Sequence, residues 1–291
     1  SIANLVLSLI NPGDEVIIPA PYWVSYPEMV LLAEGTPKIV VGSLENNLRV
    51  KAEDIEKVIT DKTKLIIINS PCNPSGIVYH QQDLLPIAEV LRAHPRILIA
   101  SDDMYEHIYW APTPFQNILN IAPDLYPRTI VLNGFSKTYA MTGWRIGYAA
   151  GPSEIIDAME IIQSQSTSCA NAIAQKAAVE AALGSQDSVK NMAQTFYKRY
   201  EFLSSELSKI PGIFVPLAEG AFYLYPYVQE LIKKLNLSDD VAFCNYLLEE
   251  LEIAAVPGSA CGTPGFIRLS FATSELILQE AVKRFRAKFL G

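Results

Sequence analysis

The sequence predicts an α/β fold in which helices flank a mostly parallel sheet and a smaller α+β domain follows. Three observations support this prediction. Short apolar runs alternate with helix-like segments from residue 15 to about 150, long helical stretches follow Gly151-Pro152, and mixed strand and helix patterns return beyond Pro211. Because alternating strands and helices are typical of βαβ units, the strands of the first region should run parallel.

The strands of this sheet are predicted by five apolar runs. In chain order they are EVIIPA, KIVVGS, KLIIINS, ILIASDD and TIVLNGFS. Between them, apolar residues recur at spacings of three and four, which predicts helices. The helical segments are YPEMVLLAEG, KAEDIEKVIT and QQDLLPIAEVLRAH, and RIGYAAG predicts one further strand.

The helical stretches after residue 151 suggest how the chain is divided. The longest of them, SVKNMAQTFYKRYEFLSSELSKIPG, is long enough to link two domains. We therefore predict a large domain at residues 1–185, an interdomain helix at 186–210 and a small domain at 211–291. The chain starts with Ser1 rather than a methionine and enters an apolar helical pattern at once. We therefore expect the large domain to be incomplete at its N-terminus.

Composition excludes several classes of function. The formal net charge of −8 would repel a phosphate backbone, so we do not expect a nucleic-acid partner. No apolar run approaches the roughly 20 residues needed to cross a bilayer, so we do not expect a membrane protein. The four cysteines lie far apart without CxxC spacing, and the three histidines form no close pair with another His or Cys. This pattern predicts reduced thiols, a cytoplasmic protein and no metal site.

Residues with useful chemistry follow three of the predicted strands. The run LIIIN leads into SPCNPSG, ILIAS leads into Asp102, and TIVLNGF leads into Ser136-Lys137. Each has an ordinary alternative explanation, namely a turn, a helix-capping acid and a surface lysine. In an open parallel sheet, however, ligands bind beyond the carboxyl ends of the strands. Together with Tyr105 and Arg145, these residues would supply an amine, an acid, an amide, a phenol and a guanidinium at one edge.

A lysine amine in such a place can form an imine with a carbonyl compound. If the carbonyl belongs to pyridoxal phosphate, Asp102 has a clear use, because an adjacent carboxylate raises the pKa of the ring nitrogen by roughly 1–3 units. Ser136 and Arg145 suit the phosphate, since a guanidinium can hold two phosphate oxygens at once.

Six stretches carry a family resemblance, and they occur in the family's order along the whole chain. They are NPGDEVIIPAPYWVSYPE, NSPCNPSG, SDDMYEH, NGFSKTYAMTGWRIGY, EGAFYLYP and FIRLSFA. The chain resembles the pyridoxal-phosphate-dependent aminotransferases of fold type I, class I, and is most similar to the bacterial aspartate aminotransferases. The resemblance implies the large cofactor domain of that fold type, truncated at its N-terminus.

The resemblance also implies roles for the residues of these motifs. Lys137 would form the internal imine and carry the proton to and from the substrate α-carbon. Asp102 would be the partner of the ring nitrogen, because the family spacing is Asp-x-x-Tyr, and Asp103 would then point elsewhere. Tyr105 and Asn73 would donate to the cofactor's phenolic oxygen.

On the same resemblance, Trp23 would stack on the cofactor ring and, like Asn73, would also contact the substrate. Ser136 and Arg145 would bind the phosphate, and Arg268 would bind the substrate's α-carboxylate. The implied reaction moves an amino group from an amino acid to a 2-oxo acid such as 2-oxoglutarate. Aspartate is the favoured substrate, with prephenate or aromatic amino acids as alternatives.

Family members carry an arm, a gate and a phosphate-binding turn before the position of Ser1, so we expect this chain to bind the cofactor weakly and to transaminate poorly. We expect a homodimer for the full-length protein, with QSQSTSCANAIAQKAA near the contact.

Two alternatives remain open at this point. One is a pyridoxal-phosphate lyase or synthase on the same scaffold, and the other is the non-catalytic, cofactor-sensing domain of a transcription regulator.

Overall fold

The computed structural model describes residues 1–290 and contains a six-stranded sheet. Its strands are β1 (Glu15–Ala20), β2 (Thr36–Val41), β3 (Thr63–Asn69), β4 (Leu98–Asp102), β5 (Thr129–Gly134) and β6 (Gly147–Ala150). The spatial order is β2-β1-β3-β4-β5-β6. The first five strands run parallel, and β6 is antiparallel to β5. All five predicted runs and the additional strand are therefore confirmed.

Eight helices accompany this sheet in the described part of the chain. They are α1 (Ile2–Leu9), α2 (Ser25–Leu32), α3 (Ala52–Val58), α4 (Gln81–Ala93), α5 (Ile118–Ile121), α6 (Phe135–Thr138), α7 (Ser153–Ser166) and α8 (Ala172–Leu183). The helices predicted between the strands are confirmed as α2, α3 and α4. Short apolar runs form buried strands because each can bury residues on both faces of the sheet.

Strand β3 illustrates how the two faces of the sheet are covered. Ile66 and Ile68 lie in a core with residues of α3 and α4, whereas Leu65 and Ile67 lie in a core with residues of α1, α2 and α7. Successive side chains of a strand point to opposite faces, so a continuous apolar run fills both cores. Full burial of each such side chain stabilises the fold by about 1.5–3 kcal/mol.

The chain continues through a long helix into a second region. The helices are α9 (Asp187–Leu207), α10 (Gln229–Lys234), α11 (Asp240–Leu251) and α12 (Glu275–Phe289). The strands β7 (Tyr223–Leu224), β8 (Val256–Pro257) and β9 (Ile267–Ser270) form an antiparallel sheet in the order β7-β9-β8. Tyr200 and Leu203 of α9 share a core with Phe243, Phe271 and Phe285. The fold class is confirmed, whereas the domain boundaries stay a prediction.

The direction of β6 matters for the site. The carboxyl ends of β1, β3, β4 and β5 meet at one edge of the sheet, and the amino end of the antiparallel β6 lies at that same edge. Residues that follow the parallel strands therefore meet residues that precede β6.

Across residues 1–290, no helix combines the length and the apolar character that spanning a membrane requires.

Candidate active site

A cavity of about 590 Å³ opens at this edge of the sheet. All eight residues singled out in the sequence line it. They are Trp23, Asn73, Asp102, Tyr105, Ser136, Lys137, Arg145 and Arg268. Seven come from the sheet region and Arg268 comes from β9, so the cavity lies between the sheet and the C-terminal region.

Asp102 is the last residue of β4 and is buried at the cavity. Its Oδ2 accepts a hydrogen bond from the Tyr26 phenol, and its Oδ1 accepts one from the Met104 amide at 3.2 Å. Burial raises the pKa of Asp102, while these two hydrogen bonds pull the pKa back down. The carboxylate is thus held in place by donors on both oxygens.

Asp103 points away from the cavity, as expected from the Asp-x-x-Tyr spacing. Its carboxylate accepts hydrogen bonds from the Ser101 hydroxyl at 2.7 Å and from the Asn117 amide at 2.6 Å. Burial raises the pKa of Asp103 to about 7. Successive residues at a strand end face opposite sides, which explains why only Asp102 reaches the cavity.

Lys137 lies on α6, the single helical turn that directly follows β5. Burial lowers the pKa of the Lys137 amine, and the positive charges of Arg268 and Arg145 lower it further. A lowered pKa makes more of the amine neutral at neutral pH, and the neutral form is the nucleophile. Lys137 is therefore suited to attack a carbonyl.

Arg268 and Asn73 meet although 195 residues separate them in the chain. Arg268 Nη1 donates to Asn73 Oδ1 at 2.9 Å, and its guanidinium lies 4.7 Å from the centre of the Tyr223 ring. The Tyr223 and Tyr105 hydroxyls are hydrogen-bonded to each other at 3.0 Å. Burial raises the pKa of Tyr105 well above its usual value, so its hydroxyl keeps its proton and can donate it.

Arg145 precedes β6 and has a left-handed backbone conformation, with φ of 55°. Such a conformation is uncommon for residues other than glycine and costs about 1–3 kcal/mol, which the surrounding structure must offset. Arg145 Nη1 donates to the Thr142 carbonyl at 2.9 Å. Its side chain lines the cavity with Ser136, so a hydroxyl and a guanidinium lie beside one opening.

The cavity residues that were not singled out from the sequence include Tyr26, Asn69 and Tyr223. Tyr26 follows Trp23 by three residues, and their rings pack edge to face at 5.4 Å. That spacing, which places two side chains on one side of a helix start, could have indicated Tyr26. Asn69 ends β3, and its side chain donates to the Asp102 carbonyl and accepts from the Asn73 amide. Tyr223 lay within EGAFYLYP, but nothing in the spacing pointed to its side chain.

These residues fit pyridoxal phosphate. The cavity has a buried carboxylate, a half-buried lysine with a lowered pKa, an indole on its wall, and a hydroxyl and a guanidinium for the phosphate. Residues 1–290 contain no group of three or more His, Cys, Asp or Glu arranged to hold a metal ion. The donor set is thus that of an organic cofactor with an aldehyde and a phosphate.

Several known proteins are similar to this chain in sequence. The aspartate/prephenate aminotransferase of Nitrosomonas europaea is 55% identical over 290 residues, which are 98% of this chain and 73% of the relative. The aspartate aminotransferase of Rhizobium meliloti is 43% identical over 289 residues, which are 98% of this chain and 70% of the relative.

Solved structures give the same result. The crystal structure of the Rhizobium meliloti aspartate aminotransferase superposes with a TM-score of 0.93 at 42% identity, covering 98% of this chain and 73% of that one. An aromatic aminotransferase from Pyrococcus horikoshii gives 0.92 at 34% identity, covering 98% and 76%. The model of the family "Aminotransferase class I and II" matches residues 1–285. The chain therefore belongs to the class I and II aminotransferase family and is an aminotransferase that uses pyridoxal phosphate.

Proposed function

We propose that the eight cavity residues form the active site of an aminotransferase that takes its amino group from aspartate and passes it to a 2-oxo acid such as 2-oxoglutarate. The observation that carries the proposal is the position of Lys137. Lys137 lines the same cavity as Asp102 and Arg268, and Arg268 lies close enough to lower the pKa of the amine.

One group of residues serves the cofactor. Pyridoxal phosphate supplies an aldehyde and a ring that accepts electrons from the substrate's α-carbon. Asp102 keeps the proton on the ring nitrogen, because a carboxylate favours a nearby positive charge. Trp23, which lines the cavity, would stack on the ring, since a rigid aromatic side chain loses little entropy on contact. Ser136 and Arg145 bind the phosphate.

A second group serves the substrate. Arg268 binds the α-carboxylate through its guanidinium fork, and Asn73, which accepts a hydrogen bond from Arg268, orients that fork. Lys137 removes the proton from the substrate's α-carbon and returns it, a role that needs an amine with a lowered pKa. Tyr105 and Asn73 would donate to the phenolic oxygen of the cofactor. The half-buried position of Lys137 limits the access of water to this proton transfer.

The substrate assignment rests on similarity. Relatives at 43% and 55% identity are named aspartate aminotransferase and aspartate/prephenate aminotransferase. We propose aspartate as the amino donor and prephenate as an alternative amino acceptor. Two arginines line the cavity. Arg145 would bind the phosphate and Arg268 would bind the α-carboxylate.

A homodimer is part of the same proposal. Helices α7 and α8 expose large apolar side chains, with Ile161 65%, Ile173 73% and Leu183 83% accessible. A surface of this kind favours burial against a second protein surface.

A cytoplasmic location is also proposed, because the cysteines of the described chain are free thiols, three of them buried.

The first experiment adds pyridoxal phosphate to the chain, reduces it with borohydride and locates the cofactor by peptide mass spectrometry. We expect the label on Lys137, and the Lys137→Ala variant should lose it. A label confined to other lysines would refute the assignment of the amine. Amino-acid turnover is then measured with and without 2-oxoglutarate, since formation of a 2-oxo acid without an acceptor would indicate a lyase instead.

A further inference from the structure

A cluster of buried charges lies outside the cavity, centred on Glu219. Glu219 Oε2 accepts from Arg49 Nη2 at 3.1 Å and lies 2.8 Å from His80 Nε2. Arg49 Nε also donates to the Val78 carbonyl at 2.6 Å and lies 3.4 Å from Asp83 Oδ2. The side chains of Arg49 and Glu219 are each only 11% accessible. A buried ion pair of this kind fixes geometry strongly, because either charge alone would be costly to bury.

The backbone around Glu219 is tied to the turn that carries Asn73. The amides of Glu219 and Gly220 both donate to the Gly76 carbonyl, at 2.9 and 3.1 Å. Gly76 has a φ of +68°, and a Cβ there would lie 2.7 Å from the Gly220 carbonyl oxygen. Only glycine allows this approach. The Gly76 amide in turn donates to the Cys72 carbonyl and closes the turn around Asn73.

The same segment leads directly to Arg268. Residues 219–222 run into β7, where Tyr223 and Leu224 pair with Ser270 and Leu269 of β9. Arg268 is the next residue of β9, and its guanidinium lies against the Tyr223 ring. Glu219 is thus connected at one end to the turn of Asn73 and at the other to the strand of Arg268.

We infer that Glu219, held by Arg49 and His80, is a positioning residue for the carboxylate-binding pair Asn73 and Arg268. Glu219 itself does not line the cavity. By fixing the segment at residues 219–222 at both of its ends, Glu219 sets the distance at which the Arg268 guanidinium meets Asn73. It therefore also sets the direction in which the guanidinium fork faces the cavity. The inference rests on the proposed role of Arg268 in binding the substrate's carboxylate.

The test measures binding of 2-methylaspartate to the chain loaded with pyridoxal phosphate, followed by absorbance. This probe has the aspartate carboxylates but no α-proton to lose. We expect Glu219→Ala to raise the apparent Kd about tenfold, as for loss of one charge-assisted contact, and Glu219→Gln to have a smaller effect in the same direction. The amount of cofactor and the label on Lys137 should not change. Glu280→Ala, which removes an ion pair on α12, is the control.

A double-mutant cycle distinguishes positioning from general support of the fold. If Glu219 acts through Arg268, Glu219→Ala should change the Kd less than about twofold in an Arg268→Lys background. Three outcomes would each overturn the inference. They are an unchanged Kd in both Glu219→Ala and Glu219→Gln, an equal effect of Glu219→Ala in both backgrounds, and loss of cofactor binding together with probe binding. If Arg268→Lys binds the probe with an unchanged Kd, the proposed function of Arg268 is wrong. If Arg268→Lys raises the Kd but the Glu219 variants do not, only the role of Glu219 is rejected.

Discussion

The phenol of Tyr26 donates a hydrogen bond to the carboxylate of Asp102, 76 residues further along the chain, and both side chains are buried. Burial raises the pKa of Asp102 and the Tyr26 hydrogen bond lowers it. Tyr26 therefore helps to keep Asp102 ionised at the place where the proposed site needs a negative charge.

Tyr26→Phe should weaken cofactor binding. Without the phenol, more of Asp102 is neutral, so it supports the protonated ring nitrogen less well. Since a hydrogen bond to a charged group contributes about 1.5–3 kcal/mol, we expect the Kd for pyridoxal phosphate to rise at least tenfold. The measurement is an absorbance titration. Tyr126→Phe, which alters a tyrosine that is 63% exposed, is the matched control. Equal affinities in Tyr26→Phe and the parent chain would contradict the role of Tyr26.

Lys137 should react with acetic anhydride at lower pH than surface lysines do. Burial, Arg268 and Arg145 lower the pKa of Lys137, whereas the contact with Asp54 raises the pKa of Lys57. The neutral amine is the reactive form, so the profile of Lys137 should lie below that of Lys57 on the pH axis. Trace labelling at several pH values, read by mass spectrometry, gives both profiles in one sample.

The Arg268→Met variant extends this measurement. Removal of a nearby positive charge raises the pKa of Lys137, so its profile should move to higher pH while that of Lys57 stays in place. Coincident profiles for Lys137 in the two chains would mean that Arg268 does not act on the amine.

Arg145→Lys should discriminate between pyridoxal phosphate and pyridoxal. A lysine cannot replace the two-pronged contact of a guanidinium with phosphate, so we expect roughly tenfold weaker binding of the phosphorylated compound. Binding of pyridoxal, which lacks the phosphate, should be unchanged. An equal loss for both compounds would show that Arg145 contacts another part of the cofactor.

Asp103→Asn should change how stability depends on pH. Burial raises the pKa of Asp103 to about 7 in the folded chain, well above its unfolded value. Between those two values the folded state holds a proton that the unfolded state has released. The free energy of unfolding therefore falls as pH rises, by up to about 1.4 kcal/mol per pH unit, and levels off above the folded pKa.

Asparagine carries no such proton and can still hydrogen-bond to Ser101 and Asn117. The gain in stability from Asp103→Asn over the parent chain should therefore grow from pH 5 to pH 8. Urea denaturation at the two pH values measures this difference. A difference that is constant between them would show that Asp103 titrates normally.

The sequence predicted the sheet because its strands are buried on both faces and therefore appear as continuous apolar runs. It also indicated the residues that follow those strands, since Asp102 and Lys137 lie next to recognisable runs. Tyr26 and Tyr223 escaped prediction because a tyrosine in a mixed segment looks like ordinary core. The proposed role of Glu219 could not be predicted for another reason. Its partners Arg49 and His80 are distant in the sequence and contact it only in the folded chain.

The contact of Arg268 with Asn73 also has a consequence for synthesis. Asp102, Lys137 and Arg145 lie at or next to the ends of the neighbouring strands β4, β5 and β6 and leave the ribosome one after another. Arg268, in contrast, follows Asn73 by 195 residues. Contacts between distant residues form late because closing a long loop costs entropy before the contact is made. A nascent chain can thus assemble the cofactor side of the cavity first, and its ability to bind the substrate's carboxylate is added only after the much later Arg268 has been synthesised.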